Sequence, residues 1–188
     1  MNMIRVIGGK YRGKRLKRVG SAEVRPMQDK LKESLMSILQ SRVRDAHCLD
    51  GFAGTGSVGI EALSRGASSV VFVDSFRPSI DIIKANLQKC GAEAQARVIH
   101  KEFNRAVIQL AKENMTFDLI FLDPPYRMLE ERNPLKVIHK REVLRDKGTV
   151  VLRHHFKTDF KSKYFKKTRE IRMGDDRILF FNQGGGSE

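Results

Sequence analysis

The sequence predicts an α/β fold: a doubly wound, mostly parallel sheet that ends in an antiparallel hairpin. Three features of the 188 residues carry this expectation. From residue 45 onward, short β-branched runs alternate with segments whose apolar residues recur at helical spacing, the pattern of a sheet covered on both faces. A glycine-rich stretch, G-F-A-G-T-G at 51–56, directly follows the first of these runs, as where a strand turns sharply into a helix. The last two runs are separated by M-G-D-D at 173–176, too short for a parallel crossover, so they pair antiparallel.

The elements follow in order. Residues 4–7 and 14–17 read as short strands around G-G-K-Y-R-G, and Leu31, Leu35, Ile38 and Leu39 mark one face of a helix over 27–40. Residues 46–50 form the first strand of the main sheet, and 57–65 have helical character. V-V-F-V-D at 70–74 is a β-branched strand, and Ser75 is the expected N-cap of a helix over 78–90 that carries Ile80, Ile83 and Leu87. A strand over 97–100 and a helix over 104–112 come next, then a strand over 117–122, a helical segment over 133–141 and a strand over 148–153. Strands over 164–171 and 177–181 complete the hairpin. The expected division is a basic N-terminal extension over 1–44, an α/β domain over 45–183 and a flexible G-G-G-S-E tail over 184–188.

Composition narrows the partners. The net charge is +14, and it is uneven. Residues 1–44 hold 12 Lys and Arg against Glu23, Asp29 and Glu33, a net of +9; residues 153–172 hold eight against Asp159 and Glu170, a net of +6. A solvated surface mixes signs, so two one-sided segments point to a polyanion, most commonly a phosphate backbone. No apolar run approaches the ~20 residues of a membrane span, and no strongly amphipathic basic helix accompanies the charge, so no membrane partner is expected. Cys48 and Cys90 form no CxxC pair and sit in apolar-patterned segments, as reduced core thiols of a cytoplasmic protein do. The five histidines and two cysteines form no metal-ligand pattern, and no metal is expected.

Two motifs carry chemistry. G-T-G-S-V-G, with Gly54, Gly56 and Gly59, matches G-x-G-x-x-G, which a dinucleotide-binding dehydrogenase also uses. Asp50 precedes Gly54 by four residues, where a dehydrogenase has an apolar entry; a carboxylate there suits the cationic amino group of S-adenosylmethionine. Gly51 and Phe52 complete the turn, and Asp74, 20 residues after Gly54, stands where a carboxylate grips ribose hydroxyls. Glu102, after the third strand, lines the adenine pocket in this reading and is a solvated loop acid in the alternative. The second motif is F-D-L-I-F-L-D-P-P-Y at 117–126. Asp123 and the carbonyl of Pro124 form a pair of acceptors for the two N–H groups of a nucleobase amine, whose lone pair is otherwise delocalised. Pro125 keeps the preceding peptide extended, and Tyr126 offers a ring on which an extruded base stacks. Arg5, Lys10, Arg12, Lys14, Arg15 and Arg25 are the candidate RNA contacts of the N-terminal segment.

R-V-I-G-G-K-Y-R-G-K-R-L at 5–16, R-P-M-Q-D-K-L-K-E-S-L-M-S-I-L at 25–39, L-D-G-F-A-G-T-G-S-V-G-I-E-A-L at 49–63, F-L-D-P-P-Y at 121–126 and R-M-G-D-D-R-I-L-F-F at 172–181 together resemble the RsmD-type bacterial 16S ribosomal RNA guanine-N2 methyltransferases. The resemblance implies the seven-stranded class I methyltransferase (Rossmann-like) fold. It also implies S-adenosylmethionine as methyl donor and one guanine of 16S rRNA as target, within a 30S particle or assembly intermediate, for a monomeric enzyme. The sequence departs from the family pattern at Met27, Met36, Ser37 and Glu102, and at Arg153, where an acid is common. Two alternatives stand beside this one: an adenine-N6 or cytosine-N4 DNA methyltransferase, and a non-catalytic RNA-binding assembly factor.

Overall fold

The computed structural model describes residues 4–20, 27–155 and 160–184. Arg25, one of the candidate RNA contacts, lies outside them. Seven strands form one sheet: β3 (His47–Gly51), β4 (Ser69–Asp74), β5 (Ala96–His100), β6 (Phe117–Leu122), β7 (Leu144–His155), β8 (Lys166–Met173) and β9 (Asp176–Asn182), in the order β5-β4-β3-β6-β7-β9-β8. The first five are parallel, whereas β9 runs antiparallel to β7 and β8 antiparallel to β9. The chain leaves β3 in one direction to β4 and β5, then returns to β6 on its other side. This reversal opens a crevice at the carboxyl ends of β3 and β6, the position where open α/β sheets bind ligands.

Successive sheet residues alternate between two cores, as a period of two requires. Cys48, Val70, Phe72, Leu119 and Phe121 face one side with Ile60, Ile83 and Leu87 from helices α2 (Ser57–Ser64) and α3 (Arg77–Cys90). Leu49, Val71, Val73, Ile120 and Leu122 face the other with Phe103, Val107 and Leu110 of α4 (Phe103–Lys112), Leu129 of α5 (Tyr126–Glu131), and Leu135 and Ile138 of α6 (Pro134–Lys140).

Strands β1 (Ile4–Arg5) and β2 (Arg15–Leu16) pair as the small hairpin, and helix α1 spans Asp29–Leu39. Ile4, Val6, Tyr11 and Leu16 join Leu31, Leu35 and Leu39 in the first core, so the hairpin's apolar side chains are buried against the α/β layer. Its anchor is Glu61 of α2, which accepts hydrogen bonds from the Ile7 and Gly8 N–H groups at 2.8 Å each. Lys32 and Arg65 neutralise that fully buried carboxylate. Burial pulls the Lys32 pKa down against the attraction of Glu61, and the Lys32 Nζ also donates to the Arg5 carbonyl at 2.7 Å.

Two local expectations are corrected. Ser75 is not the cap of α3: Phe76 takes the N-cap position, and its N–H donates to the Asp74 carboxylate at 2.8 Å. A two-turn helix, α5, begins immediately after Pro125, where the sequence offered no helical period. The Pro125 carbonyl accepts from the Met128 N–H at 2.9 Å and so starts that helix.

Candidate active site

Parallel pairing brings three carboxylates to one end of the sheet. The register sets Asp50 opposite Phe121, Gly51 opposite Leu122 and Gly51 opposite Val73. Asp50 is therefore the last residue but one of β3, Asp74 ends β4, and Asp123 directly follows β6. Asp50 is 4% exposed, and its Oδ2 accepts from the Gly59 N–H at 2.9 Å. Burial, with the added repulsion of Asp123 and Asp74, pushes its pKa up to about 8 against the pull of that hydrogen bond. A buried carboxyl held protonated by its surroundings becomes a carboxylate when a cation is placed beside it.

The turn after β3 is made by backbone conformations that suit glycine. Gly54 and Gly56 take φ of 57° and 75°, the left-handed region. Phe52 adopts φ of 59° without being glycine, a strained geometry held in place by stacking on Phe103 at 4.9 Å between centroids. Gly51 admits Phe103, because a Cβ there would fall 2.4 Å from its ring. Asp74 ties the turn to β4: one of its oxygens accepts from the Gly54 N–H at 2.8 Å, the other from Phe76. A carboxylate has about four acceptor sites, so two remain for hydroxyl donors. Glu102 has a different place. It is the N-cap of α4, accepting from the N–H groups of Asn104 and Arg105 at 3.1 Å each.

Asp123 stands at the mouth of the crevice with 44% of its side chain exposed. Its Oδ2 accepts from Arg153 Nη1 at 2.7 Å. The surrounding protein raises the Asp123 pKa, and Arg153 opposes the rise. Pro124 is buried and Pro125 exposed. Among the described residues no donor reaches the Pro124 carbonyl, whereas the Pro125 carbonyl is committed to α5. Tyr126 is the first residue of that helix.

Arg153 is the residue that sequence reasoning missed. It lies on β7, 6% exposed, and bridges Asp123 to Asp176 of β9, whose oxygens it meets at 3.2–3.3 Å. The signal was a charged residue directly after V-V-L at 150–152, and its partners depend on strand order.

The basic candidates of the N-terminus are not gathered round this site. The Lys10 N–H donates to the Ser64 carbonyl and Lys14 Nζ to the Lys89 carbonyl, which puts the hairpin tip on the last turns of α2 and α3, at the amino end of the sheet. Arg5 pairs with Asp29 at 2.9 Å; Arg12 and Arg15 are exposed.

A family model described as Conserved hypothetical protein 95 matches residues 4–182. The chain is 37% identical over 151 residues to the Bacillus subtilis protein named "Putative rRNA methyltransferase YlbH", covering 80% of this chain and 82% of that one. It is 41% identical over 128 residues to "Ribosomal RNA small subunit methyltransferase D" of Haemophilus influenzae, covering 65% of this chain and 64% of the relative. The solved structure "Putative methyltransferase yhhF from Escherichia coli" superposes with a TM-score of 0.84 at 26% identity, over 97% of this chain and 98% of that one.

Proposed function

The chain belongs to the Conserved hypothetical protein 95 family, which is of RsmD type, and from that premise we propose that it methylates the exocyclic N2 amine of a guanine in small-subunit ribosomal RNA. The architecture is the class I methyltransferase fold. The observation that carries the reading is the pair of acceptors at the end of β6. An accessible Asp123 carboxylate and a Pro124 carbonyl that no donor among the described residues reaches stand beside the crevice in which the Asp50 and Asp74 carboxylates converge.

The residues fit S-adenosylmethionine. Asp50, protonated for want of a cation, suits the ammonium of its methionine portion, and the spare acceptor sites of Asp74 suit ribose hydroxyls. When bound, this cofactor supplies a methyl group on an electron-poor sulfonium. The chain's own residues then act on the amine. Asp123 and the Pro124 carbonyl accept its two N–H bonds and so fix the direction of the nitrogen lone pair. The Asp123 carboxylate stabilises the positive charge that develops on nitrogen and takes the proton that leaves. Arg153 holds that carboxylate in place through its bond to Oδ2. Glu102 caps α4 with one N–H on each oxygen, and its remaining acceptor sites keep it in the cofactor assignment, on the adenine side. Tyr126 keeps its assignment as the stacking ring on the strength of its place in the motif.

The test is methyl transfer from labelled S-adenosylmethionine to unmodified small-subunit particles and to naked 16S RNA, followed by nucleoside digestion. Labelled N2-methylguanosine is expected. Labelled methyladenine or methylcytosine would keep the pair of acceptors and overturn the base, and cofactor binding without transfer would point to an assembly factor.

A further inference from the structure

The amino end of the sheet, opposite the pair of acceptors, carries a second charged surface. Arg42, Arg44, Arg145 and Lys147, with Asp45 and Asp118, line an open cleft of about 270 Å³ where β3, β6 and β7 begin. Asp118 is already neutralised by Arg145 at 2.7 Å. Arg42 is steered by its bond to the Thr149 hydroxyl at 2.6 Å, and among the described residues it has no ion pair. Arg44 and Lys147 are exposed, and among the described residues neither has an ion pair. Among the described residues the cleft thus sets three cations without an ion pair against one acid, Asp45.

Basic side chains continue from the cleft in both directions. On one side, Thr149 pairs with Asn182, and Asn182 with the exposed Lys166 of the edge strand β8. On the other, Arg44 packs over Gly66, with its Cγ 3.8 Å from where a Cβ would stand. Arg65, paired with Glu61 and filling the space beside Gly8, comes next, and then the hairpin tip with Lys10 and Arg12. The basic N-terminal segment and part of the basic C-terminal segment therefore converge on one end of the molecule. That end is remote from the chemistry: five residues of extended strand separate Asp118 from Asp123, about 17 Å.

We propose that this amino-end face binds phosphate groups of the RNA at a distance from the target nucleotide. Base selection and much of the electrostatic affinity would then reside at opposite ends of the sheet. The inference rests on the RNA substrate proposed above. Arginine forks in a concave cleft match phosphate oxygens. A membrane surface would instead call for a flat or convex face with apolar side chains to insert, and the cleft is concave and mainly charged.

The test compares wild type with the double variant Arg44→Gln/Lys147→Gln. Binding of a fluorescent small-subunit RNA transcript is titrated from 50 to 400 mM salt, and cofactor affinity is measured in parallel. Losing two phosphate contacts should lower the slope of log affinity against log salt by about 1.4–1.8. Methyl transfer should show a raised KM with kcat unchanged, and the Arg44→Lys/Lys147→Arg exchange should restore the slope. Wild-type RNA binding with an unchanged slope in the variant overturns the inference and leaves the proposed function standing. No RNA binding by wild type overturns both. Binding to phosphatidylglycerol vesicles that depends on these two residues, without RNA binding that does, overturns the RNA assignment in favour of a membrane surface.

Discussion

Asp50 gives a prediction in which charge, cofactor and stability are linked. Its carboxyl titrates near pH 8 in the cofactor-free protein, raised first by burial and then by Asp123 and Asp74. A bound ammonium requires the ionised form. At pH 6 about 1% of Asp50 is ionised and at pH 7 about 10%, so affinity for S-adenosylhomocysteine, which keeps the same ammonium, should rise about tenfold between them. Binding in that range should release close to one proton. Calorimetry in buffers of different ionisation enthalpy reads both quantities. Asp50→Asn should abolish the pH dependence and the proton release. The stability sign is also fixed. Because the folded pKa lies above the unfolded one, the unfolded chain loses this proton first, and the native state is progressively disfavoured from about pH 4 up to pH 8. Cofactor-free Asp50→Asn should therefore melt higher than wild type at pH 8, with the gap closing toward pH 4. An affinity change under twofold between pH 6 and 7, or equal proton release in the variant, would refute the reasoning.

Three further outcomes follow. Arg153→Met removes the cation that opposes the rise in the Asp123 pKa caused by burial, so the acid limb of the rate profile should move to higher pH. An unmoved limb would deny Arg153 its positioning role. Gly59→Ala would set a methyl 2.4 Å from the Phe72 ring inside the core, costing about 1–3 kcal/mol in urea unfolding; an unchanged midpoint would contradict the packing. Cys48 and Cys90 are buried, free and raised in pKa by burial, so thiol reagents should label the native protein no faster than it opens, and rapid labelling would contradict their placement.

The main elements were legible because each had a local signal. β4 is V-V-F-V-D with a serine before it, and α3 shows its apolar face at Ile80, Ile83 and Leu87. The convergence of Asp50, Asp74 and Asp123 was legible too, since parallel strands deliver their final residues to one end. Helix α5 was not, because two prolines mark a stop in sequence while the Pro125 carbonyl serves as a start in space. The capping role of Glu102 went unread, although its place ahead of an apolar helical period fits a cap. The partnership of Arg153 with Asp123 depends on β7 lying beside β6, and the seat of the hairpin depends on Glu61 and Ser64, more than fifty residues away. Charge alone showed that a polyanion was expected, not which end of the sheet would carry the cations.

The most direct test of the account is single-turnover methyl transfer to small-subunit particles by Asp123→Ala, with cofactor affinity measured on the same preparation. Loss of the acceptor that steadies the developing charge should slow transfer by about 10²–10³-fold, while cofactor affinity stays within about threefold of wild type. Transfer within about tenfold of the wild-type rate would mean that the amine is not held at the end of β6, and the proposed mechanism would be wrong at its centre.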